Sequence, residues 1–273
     1  MADIISESLY KKQIVQFEKI NELSKAFAVN YCGSTIIRDA IFGIVLNYAR
    51  KRELSLEVLR YPFKDDELWA FTFIKKGTIF LCINSDLPIC KQIFATAHEL
   101  YHIHCYAEDI NTSTITGGSL LYSRIFDEEA TSQEDLEANA FAGLLLMPDT
   151  SLIEQFRMFG LSKENLDIDG IIVLMDIFAL PYKAVVLRLV EFGILDERKA
   201  KELLRISKTY VADRIELTDK ARKWQRNSNE LIHYGSLLEN IAFNSEHELL
   251  IDTRERSDKE YLDKLGKEFK KER

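Results

Sequence analysis

With 273 residues, 47% hydrophobic and 29% charged side chains and a formal net charge of −8, the chain has an ordinary globular composition, enough for one large domain or two modest ones. The acidic balance argues against a general nucleic-acid binder, which carries a basic surplus. No run reaches the ~18 apolar residues of a membrane span. The first residues show no basic region followed by an apolar one, so a cytoplasmic protein without a secretory leader is expected.

In chain order, Leu9, Ile14, Phe17, Ile20, Leu23 and Phe27 recur at helical spacing and predict an amphipathic helix over residues 4–29, the body of an N-terminal arm, 1–33. Gly33-Ser34 breaks it, and a second helix follows over 36–51 with a basic end, Arg50-Lys51-Arg52. Three strands are then predicted, at 56–61, 69–73 and 78–83, the last two joined by a turn at Lys75-Lys76-Gly77. They imply a small, mostly antiparallel sheet, with 78–83 as the edge that could hold an extended peptide by strand addition. Pro88 stands near the first turn of the next helix.

That helix contains Ala97-His98-Glu99-Leu100-Tyr101-His102. Residues four apart share a helix face, so His98 and His102 can share one metal ion, and Glu99 can reach a water beside it. The pattern suits zinc hydrolysis, in which the metal acidifies a water and a carboxylate takes its proton. Of five histidines, three (His98, His102 and His104) fall within seven residues. His247-Glu248 starts a second match but lacks the closing histidine. The cysteines, Cys32, Cys82, Cys90 and Cys105, have no paired spacing; Cys105, three residues after His102, could be a ligand but reads first as a small buried apolar residue.

A tetrahedral zinc needs a third ligand from elsewhere: Glu, Asp, His or Cys. An apolar helix with an acidic start runs from 134 to 148. Glu137 is the acid nearest its apolar body, on a face with Ala140, Phe141 and Leu144, where a carboxylate must be paired or bound to metal. Glu134 and Asp135 read as first-turn acids facing the helix dipole.

Together, His-Glu-Leu-Tyr-His and the later Glu-Ala-Asn-Ala-Phe-Ala-Gly-Leu-Leu-Leu-Met-Pro resemble the ImmA/IrrE family of metallo-endopeptidases over about residues 35–195. The resemblance implies one Zn²⁺ held by His98, His102 and Glu137, with Glu99 as general base. It implies an α+β fold: a zincin-like core, 34–150, with the sheet packed on the metal helix, then an all-helical C-terminal region. It also implies a narrow protein substrate, usually a helix-turn-helix repressor of a mobile element or stress regulon. Tyr101 stands where the family has Gly, so the cleft is expected to differ there.

Between Glu108 and Asp135 lies a long polar connection of the kind that forms a lid or substrate-facing loop. Tyr106 and Tyr122 flank it and, with Tyr101 and His104, are candidate cleft or oxyanion-stabilising groups; His104 reads first as a cap of its helix end. After Pro148, helices are expected at 152–159, 168–178 and 183–192, the last two forming a helix-turn-helix-like pair in a subdomain spanning 151–205. Only Lys183 and Arg188 are basic on the second of these, so direct nucleic-acid binding is not expected. In the charged C-terminal region, 206–273, Leu237, Leu238, Ile241, Phe243, Leu249 and Leu250 suggest a helical hairpin packing back on the core. The leading reading is a zinc endopeptidase. The alternative is a zinc-stabilised regulatory module that binds a partner protein without cutting it.

Overall fold

The computed structural model describes residues 5–6, 8–63, 65–109, 132–228 and 233–271. Most of the long polar connection, and with it Tyr122, lies outside the described residues.

The fold is α+β, as expected. The predicted N-terminal helix is two pieces, α1 (Leu9–Lys12), capped by the Ser8 hydroxyl, and α2 (Ile14–Tyr31), with Gln13 out of helical geometry between them. Phe17, Ile20 and Phe27 of α2 are buried, and the helix lies against a later one, so the arm is part of the core. A 3₁₀ turn, Arg38–Ala40, leads into α3 (Ile41–Lys51), which buries Ile41, Ile44, Val45 and Tyr48.

The strands are β1 (Leu56–Tyr61), β2 (Ala70–Lys75) and β3 (Thr78–Asn84), with a short β4 (His233–Tyr234) from the C-terminal region. Their order, β2-β3-β1-β4, refines one expectation and corrects another. The sheet is mixed, because β1 and β3 are parallel from Leu56↔Ile79 to Tyr61↔Asn84, while β2–β3 and β1–β4 are antiparallel. And β3 is interior, so it cannot accept an added strand. Ile79, Leu81, Cys82, Ile83 and Asn84 are all buried, as befits a near-continuous apolar run covered on both faces. The loop between β1 and β2 carries the chain past the β3 position. Buried Asn84 organises that loop, donating to the carbonyls of Asp65 and Leu68 and accepting from the Phe63 amide. Among the described residues β2 is the edge on that side.

Pro88 opens α4 (Ile89–Asp109), its carbonyl accepting from the Lys91 and Gln92 amides. This helix lies across β2 and β3 and makes the most extensive helix–helix contact of the fold with α5 (Gln133–Leu146). Helices α6 (Asp149–Met158), α7 (Ile168–Phe178), α8 (Tyr182–Glu191), α9 (Glu197–Leu204) and α10 (Lys208–Thr218) follow. Between α7 and α8 the chain bends by 100°, turning at Ala179 in the left-handed region. Helix α8 buries Ala184, Val185, Val186, Leu189 and Val190, and Arg188 is buried with them, donating to Asp149. Among the described residues no single helix is long and apolar enough to cross a membrane.

The C-terminal region returns to the core through Trp224, whose indole donates to the Asp176 carbonyl, and through β4. It ends in α11 (Leu237–Glu246) and α12 (Asp252–Lys271). Of the six apolar positions expected to pack back, only Ile241 is buried; Leu237, Leu238, Phe243 and Leu249 are exposed.

Candidate metal centre

Helix α4 brings His98 and His102 onto one face, with their Nε2 atoms 3.2 Å apart. Both residues are fully buried. The other nitrogen of each ring has an acceptor from α5: His98 Nδ1 lies 2.9 Å from Asn139 Oδ1 and His102 Nδ1 2.7 Å from Glu134 Oε1. An acceptor at Nδ1 places the ring proton there, so a neutral imidazole keeps a bare lone pair on Nε2. Two such lone pairs point at one spot. The third group is Asp135, whose Oδ1 lies 3.6 Å from His102 Nε2 and 3.8 Å from His98 Nε2. That oxygen is buried without a hydrogen-bond partner.

Three electron pairs converging in a buried site repel one another unless a proton or a cation lies between them. The titration behaviour fits. Burial and the neighbouring His102 hold His98 down at about 3. Burial also opposes charge on His102, but Asp135, Glu134 and Glu99 outweigh it and raise that ring to about 9. Asp135 is held below the usual carboxylate range, against burial, by His102 and by the Ser132 hydroxyl that donates to it at 2.7 Å. His98, His102 and Asp135 offer ligand atoms all within 4.8 Å of one another, and could hold a metal ion.

Glu137, expected as the third ligand, does not join this cluster. Its carboxylate accepts from Tyr101 Oη at 2.6 Å, Gln133 Nε2 at 2.8 Å and Gln16 Nε2 at 3.0 Å. The reason is helical geometry: residues two apart lie about 200° apart around the axis, so Asp135 and Glu137 face opposite ways. Asp135 and Asn139, four apart, share the face toward α4. That i, i+4 pair of a carboxylate and an amide was the signal in the sequence. Glu134 and Asp135 do occupy the first turn of α5, where the helix dipole favours them, but they also serve the histidines.

Glu99 is fully buried, and neither carboxylate oxygen has a hydrogen-bond partner. Burial pushes it up to about 7; His102 and the Thr72 hydroxyl on β2 pull weakly the other way, although Thr72 stands outside hydrogen-bonding geometry. A carboxyl group poised near neutrality, with both oxygens free, beside a candidate metal cluster, is suited to moving protons. The histidines and Glu99 are sealed, but the side chains of Asp135 and Glu134 are 18% and 45% exposed, so the open side of the cluster is the one formed by the start of α5.

The remaining candidates are placed as follows. Tyr101 packs its ring on Phe141, with centroids 5.6 Å apart, and gives its hydroxyl to Glu137. His104 bonds Tyr48 Oη at 2.9 Å and lies edge-on to Phe27, which ties α4 to α3 and α2. Tyr106 is half-buried on the last turns of α4. Cys105 stands outside the metal cluster.

Residues 51–190, just over half of the chain, match the family model described as IrrE N-terminal-like domain (Peptidase_M78). No curated protein matches the chain.

Proposed function

The chain belongs to the IrrE N-terminal-like family of peptidases, and from that premise we propose that it is a zinc-dependent endopeptidase, with His98, His102 and Asp135 as metal ligands and Glu99 as general base. Two imidazole nitrogens and a carboxylate oxygen form a donor set suited to catalytic zinc. The metal, when bound, supplies a Lewis acid for the scissile carbonyl and lowers the pKa of a nearby water. Glu99 would take a proton from a water as its oxygen adds to the carbonyl carbon, and would return that proton to the amide nitrogen as the C–N bond breaks. Asn139 and Glu134 hold the two rings in the tautomer that leaves Nε2 bare. The edge of β2, across which α4 lies, offers an extended peptide a row of backbone groups for strand addition. The proposed substrate is a helix-turn-helix repressor, a choice supported by the sequence resemblance alone.

One observation carries the reading: three lone pairs converge within 4.8 Å in a buried site, beside an unpartnered buried carboxylate. The alternative, a zinc-stabilised module that binds without cutting, drew on Tyr101 in the usual Gly position. Here that side chain bonds Glu137 and packs on Phe141, which leaves the alternative little support.

The test is to load the purified chain with zinc, confirm one metal per chain by mass spectrometry, and incubate it with a cell extract whose free amines have been blocked. New N-termini in one or a few proteins, absent with Glu99→Gln, support the endopeptidase. A loaded protein that generates none, yet retains a partner on a column, overturns it in favour of the binding module.

A further inference from the structure

A cavity of about 720 Å³ lies where the start of α4 meets α7, α8 and α10. Its volume is within the range of small-molecule sites. Much of its wall is apolar, formed by Trp69, Met175, Val211 and Ile215. Three lysines also line it: Lys91, Lys183 and Lys208.

These lysines are in unusual positions. Lys91 lies in the first turn of α4, Lys183 in that of α8 and Lys208 begins α10, and none of these first turns holds an acid. By contrast α5, α6, α7 and α9 all hold acids in their first turns. Ammonium groups at helix N-termini oppose the dipole, so each placement costs stability. The three charges also act on one another: burial lowers the pKa of Lys91, with Lys208 and Lys183 adding to the effect, and burial lowers that of Lys183, with Lys208 adding. Acids are present in the wall. Asp66 partly offsets Lys91, Glu67 also lines the cavity, and Glu216 pairs with Arg222 at 3.1 Å. Lys91 Nζ lies 4.8 Å from the centroid of the Trp69 ring, which joins the charged and apolar parts of the wall.

We propose that this cavity binds a small amphipathic anion, with a carboxylate or phosphate head among Lys91, Lys183 and Lys208 and an apolar body on Trp69, Met175, Val211 and Ile215. An anionic head is favoured by the positive charge of the three lysines that line the wall. The body covers the apolar wall. The site is separate from the metal cluster, and the proposal holds whether or not that cluster binds zinc.

Calorimetric titration of the full chain with octyl phosphate, octanoate, inorganic phosphate and octyltrimethylammonium tests it. Either amphipathic anion should bind saturably at one per chain, and which of the two is tighter identifies the head group. Lys208→Glu, an exposed position, should weaken that binding by about tenfold or more, the scale of one charge-assisted contact. Lys183→Met, with folding checked by melting, gives a second reading. Absence of binding overturns the proposal, as does equal binding of the ammonium compound or affinity unchanged in Lys208→Glu. Inorganic phosphate binding as tightly as octyl phosphate also overturns it, since the apolar wall would then play no part.

Discussion

Asn139 Oδ1 lies 2.9 Å from His98 Nδ1, and through that contact α5 sets which nitrogen of an α4 side chain is free. Asn139→Ala removes the acceptor, so the His98 ring loses both its orientation and its preferred tautomer. Metal affinity should fall by roughly 10–100-fold, the usual effect of removing such a supporting group. Asn139→Asp, which restores an acceptor oxygen, should recover most of it. Competition against a chelator of known affinity measures both. Unchanged affinity in the alanine variant would mean that Asn139 does not orient the ring.

Asp135 and Glu137 separate the two assignments of the third ligand. Asp135→Ala should abolish stoichiometric metal in a folded protein. Glu137→Ala should keep the metal but strip the Tyr101, Gln16 and Gln133 donors of their common acceptor. Its cost is then stability, about 1–3 kcal/mol for donors left unsatisfied. Metal analysis beside denaturant unfolding gives both readouts. The opposite pattern, metal lost with Glu137 and kept without Asp135, would restore Glu137 as the ligand.

Much of this was legible in the sequence. Helix α7 and strand β1 fall where periodicity placed them, because each carries a strong local pattern bounded by its own stop signals. His98, Glu99 and His102 were legible because the motif is local to one helix. The place of Asp135 beside them was not, because local reasoning asked which acid was nearest the apolar body of α5. What decides it is which face of α5 meets α4, a tertiary relationship. The sheet order was misread for a similar reason. The two strands joined by a tight turn were found, but only the long-range β1–β3 pairing shows that β3 is central. Its unbroken apolar run, rather than an alternating one, was the clue.

Glu99→Gln keeps the shape of the side chain while removing its ability to take a proton. Metal content should be unchanged, and peptide cleavage should fall by about 10²–10⁴-fold, the usual contribution of a general base. The carboxylate is buried without a partner, so the amide should melt at the same temperature or higher. A variant that still cleaves at the wild-type rate would remove Glu99 from the chemistry.

Glu191 supplies a pH signature of stability remote from the metal cluster. Its side chain is 5% exposed, 3.7 Å from the Arg188 guanidinium, which also binds Asp149. Burial pushes it up to about 7, with Asp149 adding and Arg188 opposing. A folded-state value above the unfolded one means that folding favours the protonated form. The stabilisation is therefore fully present below the unfolded carboxylate range, near pH 4.5, and is lost as pH rises through about 7. Between about pH 5 and about pH 8 the wild type should lose about 2–3 kcal/mol relative to Glu191→Gln, which cannot ionise. Urea unfolding of both proteins across that window measures the difference. Parallel profiles would show that Arg188 holds Glu191 charged throughout, as one member of a buried ion cluster with Asp149.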